Sequence, residues 1–251
     1  MSNNKLRVGI VGYGIVGQHR RLFIDKNPFL KTISVCDVRF KNDGSMIDGQ
    51  DINYTYELLE ERSLEKPLSG MSDDGIQYYN NYLDLLDDST LDILFVCLPN
   101  YLAPEATIAG LEKGLHVFCE KPPARTVDEI RKVIEIEKKH PHLKLKYGFN
   151  HRYHGSVKMV KEIIDKKQFG DIINFRGVYG KSSIVPFTGQ WRSMKKFSGG
   201  GILLDQGIHM LDMFRYFCGD FEEVKSFVSN NYWQHDVEDN AYAIMRDKKG
   251  R

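Results

Sequence analysis

A glycine-rich turn near the N-terminus constrains the fold of this chain more than any other feature. The stretch GYGIVG places Gly12, Gly14 and Gly17 in a GxGxxG pattern, with Ile15 and Val16 before the last glycine. It directly follows the apolar run RVGIV and directly precedes a helical pattern. In such a turn the first glycine permits a tight bend, the second lets a pyrophosphate approach the backbone, and the third lets helix pack on strand. The pattern predicts a strand, turn and helix that bind a dinucleotide.

The acidic residue Asp37 strengthens this interpretation, because it ends the second apolar run, SVCDV, 20 residues after Gly17. A carboxylate at this position accepts hydrogen bonds from the adenosine ribose hydroxyls. It also repels a 2′-phosphate, so the sequence favours NAD over NADP, although Arg39 and Lys41 lie close enough to weaken that preference. The competing interpretation is a glycine turn and an exposed aspartate that bind no nucleotide.

Apolar runs alternate with helical patterns from Lys5 to about Tyr147. Strands that are apolar on both faces and separated by helices are typical of a parallel sheet covered on both sides. The sequence therefore predicts an α/β fold, with an N-terminal doubly wound Rossmann domain over residues 1–149. The predicted strands are LRVGIVG, TISVCDV, LDILFVCLP, HVFCEK and LKLKYGF, and the predicted helices are IVGQHRRLFIDK, NYLDLLDD, residues 104–113 and TVDEIRKVIEIEKKH.

Two regions depart from this alternation. Residues 39–75 are long and polar, with a helical pattern at YELLEERSLE, and this predicts either a surface insertion or a lid. Residues 150–251 predict a second, α+β domain for substrate binding and oligomerisation, with a mainly antiparallel sheet. Its predicted elements are helices at VKMVKEIIDKKQ and 202–217, and strands at IINFRGVYG, 224–229 and 241–245.

Composition excludes several classes of protein. The 251 residues carry 35 basic and 34 acidic side chains without a long block of either sign, so neither a nucleic acid nor a membrane surface is an expected partner. No apolar run approaches the roughly 20 residues of a membrane span. Three of the four cysteines lie in predicted strands and no CxxC pair occurs, so we expect reduced thiols, no metal site and a cytoplasmic location.

Lys121 follows the predicted strand HVFC in the sequence EKPP. Ligands of open parallel sheets bind beyond the carboxyl ends of the strands, so we expect the Lys121 ammonium to face the dinucleotide crevice. The competing interpretation is a surface lysine beside a turn stiffened by Pro122 and Pro123.

The stretch GGGILLDQGIHMLD places Asp205 and His209 four residues apart. On an α-helix this spacing puts both side chains on one face, where a carboxylate can orient an imidazole that accepts a proton near neutral pH. We expect the three glycines to let the backbone pass close to a bulky group such as the cofactor or the substrate. The competing interpretation is an acid at a helix N-terminus and a hydrogen-bonded core histidine.

Taken together, these motifs resemble the glucose-fructose oxidoreductase, inositol dehydrogenase and rhizopine-catabolism family of NAD(P)-dependent sugar oxidoreductases. The resemblance runs from about Lys5 to Asn240 and includes PN at residues 99–100, GFNHRY at 148–153, and WR at 191–192. It implies an NAD-dependent dehydrogenase that acts on a secondary hydroxyl of a sugar, nucleotide sugar or cyclitol, or on the matching ketone.

The same resemblance implies roles for individual residues. Lys121, Asp205 and His209 are the implied catalytic residues. We expect His209 to be the general base and Lys121 to assist it, and the alternative is that these two residues exchange roles. The remaining implied contacts are Pro99, Asn100, Glu120 and Lys121 for the cofactor, and Asn150, Arg152, Trp191 and Arg192 for the substrate.

Three departures from the family pattern leave an alternative open. Ala103 stands where the family often has a histidine, the 39–75 insertion is longer than usual, and members commonly continue for many tens of residues beyond the point where this chain ends. We therefore expect an incomplete second domain. The alternative function is a dinucleotide-binding sensor or regulatory subunit without turnover. A homodimer or homotetramer is expected, because the family uses its sheet faces for association.

Overall fold

The computed structural model describes residues 5–40, 75–180 and 191–251. The chain forms two compact units, residues 1–147 and 148–251. Most of the predicted insertion, including the helical pattern YELLEERSLE, lies outside the described residues.

The first unit contains a parallel sheet, of six strands within the described residues, in the order β3-β2-β1-β4-β5-β6. This order places the switch point of a doubly wound fold between β1 and β4. The strands are β1 (Leu6–Val11), β2 (Leu30–Cys36), β3 (Gln77–Tyr79), β4 (Ile93–Val96), β5 (His116–Cys119) and β6 (Leu145–Tyr147). The helices are α1 (Ile15–Lys26), α2 (Tyr82–Leu86), α3 (Ala103–Glu112) and α4 (Val127–Lys139). The prediction of an α/β Rossmann fold is confirmed.

Alternate residues of the strands supply two cores on opposite faces of the sheet. In β4, Leu94 and Val96 pack in one cluster of buried side chains, while Ile93 and Phe95 pack against the other. Successive side chains of a strand point to opposite faces, so a strand apolar throughout requires cover on both sides. The helices provide that cover and leave the carboxyl edge of the sheet to the connecting loops.

The second unit contains helices and an antiparallel sheet. Its helices are α5 (Gly155–Asp165), α6 (Lys195–Ser198) and α7 (Ile208–Cys218), with 3₁₀ turns at Asn150–Tyr153 and Trp191–Ser193 and a π-helical turn at Leu203–Gly207. Within the described residues, the sheet has two strands, β7 (Phe221–Ser229) and β8 (Asn240–Asp247). This arrangement agrees with the predicted α+β composition.

One prediction of a strand is wrong, and one strand was not predicted. The run IINFRGVYG is not a strand, because residues 172–180 join no ladder among the described residues, and Ile173 and Val178 are exposed. Alternating apolar residues favour extended backbone, but a strand also requires a hydrogen-bonded neighbour. The short strand β3 was not predicted, because its sequence, QYY, has no apolar run.

No helix in residues 5–40, 75–180 or 191–251 is both long and apolar enough to cross a membrane. The same ranges contain no cluster of three or more His, Cys, Asp or Glu side chains suited to a metal ion.

Candidate functional site

The three glycines of the GYGIVG turn have different surroundings. Gly12 has a φ of +86°, and a Cβ added there would lie 2.4 Å from the carbonyl oxygen of Cys97. A Cβ on Gly17 would lie 2.2 Å from the carbonyl oxygen of Gly12, whereas one on Gly14 would meet no atom within 4 Å. The turn therefore needs Gly12 and Gly17 for its own packing and leaves open space above Gly14. This pattern fits a pyrophosphate over the second glycine.

The N-terminus of α1 adds a second feature suited to a phosphate. The helix is 12 residues long and begins at Ile15. Its N-cap residue is Gly14, which has no side chain that could accept hydrogen bonds from the first turn. The backbone N–H groups of a first turn, together with the helix dipole, stabilise an anion. Val16 lies on this turn and is exposed.

Asp37 lies immediately after β2, at the same edge of the sheet as the glycine turn. Its carboxylate accepts hydrogen bonds from the backbone N–H of Tyr13 at 3.0 Å and from Nε and Nη2 of Arg39 at 2.6 and 2.7 Å. The Asp37 side chain is only 10% exposed. The contact with Arg39 places a guanidinium beside the carboxylate that is proposed to select the ribose.

The loops after β4 and β5 carry the next predicted cofactor residues. The carbonyl of Pro99 accepts hydrogen bonds from the N–H groups of Leu102 and Ala103 at the start of α3, and Asn100 is 5% exposed. Ala103, where the family often has a histidine, is fully packed in the core. A larger side chain at this position would have to displace that packing.

Glu120 follows β5 and forms an ion pair with Arg20 of α1. The Arg20 guanidinium also lies over the ring of Phe118, 5.1 Å from its centroid. Lys121, the next residue after Glu120, is half-buried and joined to Pro122 by a cis peptide bond. Sequence reasoning missed Arg20, because nothing in the pattern HRRLF distinguishes it from a solvent-facing helix residue.

The residue before Glu120 is a cysteine with a poorly reactive thiol. Cys119 is buried, and burial raises the pKa of its thiol to about 12. A thiol with so high a pKa stays protonated at neutral pH and is a poor nucleophile. This agrees with the expectation of reduced, structural cysteines.

In the second unit, the glycine run 199–201 packs against the chain itself. A Cβ on Gly201 would lie 1.9 Å from the carbonyl oxygen of Glu238, which accepts a hydrogen bond from the N–H of Ile202 at 2.9 Å. Gly199 has a φ of +84° and ends α6. The close neighbour of Gly201 is therefore the backbone near β8, and the expectation of a cofactor or substrate beside the three glycines stays a prediction.

The helix that carries Asp205 and His209 is not a continuous α-helix. Leu203–Gly207 form a π-helical turn, and the α-helical part, α7, begins at Ile208. A π turn is wider than an α turn, and such turns are frequent at functional sites. Asp205 is half-buried and accepts a hydrogen bond from Nε2 of Gln206 at 2.8 Å, whereas His209 is 7% exposed.

His209 is hydrogen-bonded to a second histidine. Its Nδ1 lies 3.0 Å from Nδ1 of His151, and Nε2 of His151 lies 3.3 Å from the hydroxyl of Tyr179. Sequence reasoning missed His151 and Tyr179. His151 lies 58 positions from His209, and no local pattern in the sequence indicates that contact.

The predicted substrate residues of this unit have different environments. Arg152 donates from Nε to the Asp212 carboxylate at 2.8 Å and lies over the ring of Tyr216, so much of its guanidinium is held by α7. The hydrogen bonds with Asp212 raise the pKa of Arg152. Asn150, at the start of a 3₁₀ turn, is exposed.

Trp191 and Arg192 contact each other. The guanidinium of Arg192 lies 4.4 Å from the centroid of the Trp191 ring. Both side chains are half-buried. An aromatic face beside a cation is suited to a polyhydroxylated ligand, which offers C–H groups and hydroxyl acceptors.

Comparisons with known proteins agree with this arrangement. Residues 6–149 match the model of an oxidoreductase family with an NAD-binding Rossmann fold, and residues 157–251 match the GFO/IDH/MocA C-terminal domain. D-glucoside 3-dehydrogenase of Escherichia coli strain K12 is 30% identical over 234 residues, which cover 92% of this chain and 59% of that protein.

Solved structures show the same fold. A levoglucosan dehydrogenase in complex with NADH is 25% identical with a TM-score of 0.79, over 98% of this chain and 65% of that one. Myo-inositol 2-dehydrogenase from Lactobacillus plantarum is 27% identical with a TM-score of 0.77, over 98% of this chain and 68% of that one.

The matches do not extend over the whole of each relative. The chain spans between 39% and 59% of the length of three curated relatives. The family assignment itself rests on a match to more than half of this chain, over residues 6–149, together with the second match over residues 157–251. The chain therefore belongs to the GFO/IDH/MocA family of oxidoreductases, with an NAD-binding Rossmann fold in its first part.

Proposed function

We propose that this protein is an NAD-dependent dehydrogenase that oxidises a secondary hydroxyl of a sugar, nucleotide sugar or cyclitol, or reduces the matching ketone. The observation that carries the cofactor assignment is the cradle around Gly14, with open space above this glycine, the N-terminus of α1 beside it and the Asp37 carboxylate after the neighbouring strand. The dehydrogenases to which the chain is similar support the substrate class.

Different residues of the cradle are proposed to contact different parts of the dinucleotide. The backbone N–H groups at the start of α1 bind the pyrophosphate, and Asp37 accepts hydrogen bonds from the adenosine ribose. Pro99 and Asn100 border the cofactor, and Glu120 binds the second ribose. The Arg20 ion pair holds the Glu120 carboxylate in place for this contact.

Two groups of the chain are proposed for proton transfer. When bound, NAD would supply the hydride acceptor for the substrate carbon, and the residues of the chain would take the proton of the substrate hydroxyl. Nε2 of His209 accepts that proton and a C=O bond forms at the carbon. Lys121 stabilises the developing oxyanion or shares the proton, and Asp205 orients His209 or a substrate hydroxyl.

The remaining substrate contacts are assigned to the second unit. Asn150, the Arg152 donors that Asp212 does not use, and the Trp191–Arg192 pair are proposed to bind the hydroxyl groups that distinguish one sugar from another. A polyhydroxylated ligand needs several such groups, because each hydroxyl that stays unpaired costs binding free energy.

An assay across sugars, nucleotide sugars and inositols with NAD and NADH tests this function. The variants Lys121→Ala and His209→Ala are expected to lower turnover about 100-fold or more, because a positioned acid or base contributes about 10²–10⁴-fold. Lys132→Ala is the matched control, since Lys132 is an exposed residue of α4. Unchanged turnover in both site variants would contradict the catalytic assignment. Tight NADH binding without turnover of any hydroxyl substrate would favour the sensor.

We also propose that a second copy of the chain covers the outer face of the β7–β8 sheet. Phe227 pairs with Tyr242 on that face, and Ile244 lies on it beside them; the three side chains are 81%, 67% and 81% exposed, respectively. Clustered apolar side chains of this size mark interaction surfaces. Light scattering coupled to size exclusion should give a homodimer or homotetramer, and Phe227→Lys with Ile244→Lys should give the monomer. A wild-type monomer at high concentration would contradict the proposal.

A further inference from the structure

Three aromatic side chains of the second unit form a connected chain of polar atoms that ends at His209. His151 comes from the 3₁₀ turn Asn150–Tyr153, Tyr179 from the irregular segment 171–180, and His209 from the first turn of α7. The Nδ1 atoms of the two histidines are 3.0 Å apart, and the Tyr179 hydroxyl is 3.3 Å from Nε2 of His151. The ring centroids of the two histidines are 4.3 Å apart.

A contact between two Nδ1 atoms allows two arrangements of the protons. A neutral imidazole carries a proton on one nitrogen and a lone pair on the other. Either His209 donates from Nδ1 and carries a lone pair on Nε2, or His151 donates from Nδ1 and His209 carries its proton on Nε2. Only the first arrangement lets Nε2 of His209 accept a proton from a substrate.

We propose that His151 is the positioning residue that holds His209 in the Nδ1–H tautomer, so that Nε2 of His209 serves as the base. In this arrangement His151 accepts at Nδ1 and donates from Nε2 to the Tyr179 hydroxyl. The inference deepens the proposed function and rests on it, because the choice of tautomer follows from the role of His209 as base.

Aromatic rings and two carboxylates with polar partners of their own surround the pair. Tyr179 and Phe149 contribute rings to His209, with centroids at 5.8 and 6.5 Å. Asp205 lies one helical turn upstream, with a hydrogen bond from Gln206, and Asp212 lies one turn downstream, in an ion pair with Arg152. The ring of His154 also lies near His151, with its centroid 5.1 Å away. A neutral imidazole at His151 accepts one hydrogen bond and leaves His209 able to release its proton again.

The proposal has a direct spectroscopic test that needs no substrate. Two-dimensional ¹⁵N–¹H spectra of the imidazoles distinguish Nδ1–H from Nε2–H, and variants that lack single histidines assign the signals. We expect Nδ1–H for His209 and Nε2–H for His151 in the wild type, and a mixture of tautomers for His209 in His151→Leu. The Nε2–H tautomer for His209 in the wild type would overturn the proposal.

Kinetics supply a second test, with variants that separate positioning from folding. His151→Leu is expected to lower kcat about 10- to 100-fold with KM nearly unchanged, and His151→Asn, whose side-chain oxygen lies near the former Nδ1, should recover most of the loss. His151→Asp should move the acid limb of the kcat profile up by about one pH unit, because a carboxylate favours the charged imidazole. His154→Leu removes the neighbouring exposed imidazole and is the matched control.

The outcomes distinguish failure of the inference from failure of the proposed function. The expected tautomers together with no dehydrogenase activity would leave the hydrogen-bonded pair in place and refute the enzyme. Activity that depends on His209 but is equal in wild type, His151→Leu and His154→Leu would refute the positioning role alone. An equal loss in His151→Leu and His151→Asn, with an unchanged pH profile, would also refute it, because such a loss reflects packing.

Discussion

Arg20 of α1 donates a hydrogen bond from Nε to the carboxylate of Glu120, 100 residues further along the chain, at 2.5 Å. The Glu120 side chain is 14% exposed, so the ion pair is largely removed from water. Arg20 also covers the Phe118 ring. The contact ties the first helix of the nucleotide cradle to the strand that ends in the EKP motif.

Loss of this ion pair should affect both stability and cofactor binding. Arg20→Ala removes the ion-pair partner of the Glu120 carboxylate, and we expect a loss of about 1–3 kcal/mol in the free energy of unfolding. NADH affinity should fall, because Glu120 is proposed to bind a ribose. Chemical denaturation and NADH titration measure the two effects. Arg131→Ala, which removes an exposed ion pair with Asp128 on α4, should change neither by more than about 0.5 kcal/mol.

Substitution by alanine should have different effects at two glycines of the cradle, on NADH affinity at Gly14 and on stability at Gly17. In Gly14→Ala the new methyl group meets no atom within 4 Å, so the free energy of unfolding should stay within about 0.5 kcal/mol of wild type. NADH affinity should fall at least about 10-fold, because the methyl group occupies space assigned to the pyrophosphate. Gly17→Ala places Cβ against the Gly12 carbonyl and should destabilise the fold by about 1–3 kcal/mol. Thermal unfolding with and without NADH separates the two. Equal NADH affinity in Gly14→Ala and wild type would contradict the assigned position of the phosphates.

The Asp37–Arg39 pair predicts how cofactor preference can change. Asp37→Ser removes the negative charge that repels a 2′-phosphate and releases Arg39 from its carboxylate partner. We expect the ratio of NADPH to NADH affinity to rise at least about 10-fold, since a guanidinium binds phosphate well. The double variant Asp37→Ser with Arg39→Ala should lose most of this gain. Fluorescence titration with both cofactors measures the ratio, and no change in it would show that the pair lies away from the ribose.

The lowered pKa of Asp239 predicts that the stability of the second unit depends on pH. Burial disfavours its charged form, but hydrogen bonds from the N–H groups of Asn231, Tyr232 and Trp233 outweigh this effect and lower the pKa to about 2 from an ordinary value of 3.8. A lowered pKa in the folded state stabilises the fold above the unfolded value, and this contribution is lost as the pH falls from about 4 to about 2.

Denaturation at several pH values tests this contribution. Trp233 reports on the loop through its fluorescence, in a Trp191→Phe background that removes the other tryptophan. The free energy of unfolding should fall less steeply with pH in Asp239→Asn than in the parent protein. Parallel pH dependence in the two would mean that the three N–H groups do not lower the pKa of Asp239.

The sequence predicts the parts of this structure that follow from local rules. Apolar runs on both faces predict the parallel sheet, and the spacing of Gly12, Gly14 and Gly17 predicts the turn, because each glycine acts within a few residues of itself. Contacts between segments that are distant in the chain have no corresponding local pattern in the sequence. The close neighbour of Gly201 is Glu238, and the partner of His209 is His151, and both contacts depend on how the second unit packs.

The helical spacing of Asp205 and His209 was predicted on the assumption of an α-helix. The chain instead forms a π turn over Leu203–Gly207, and no residue pattern in LLDQG indicates that change of period. Likewise, alternation in IINFRGVYG predicts a strand, but a local pattern cannot supply the neighbouring strand that a ladder requires.

The π turn has a mechanical consequence for the two ends of its helix. The upstream end is attached to Glu238 through the N–H groups of Ile202 and Leu203, and the downstream end is attached to His151 and Arg152 through His209 and Asp212. A straight α-helix turns by about 100° per residue, so both attachments would have to agree with one fixed rotation. The π turn between the two ends changes the rotation about the helix axis from the value that an α-helix would give. Each end can therefore face its own partner.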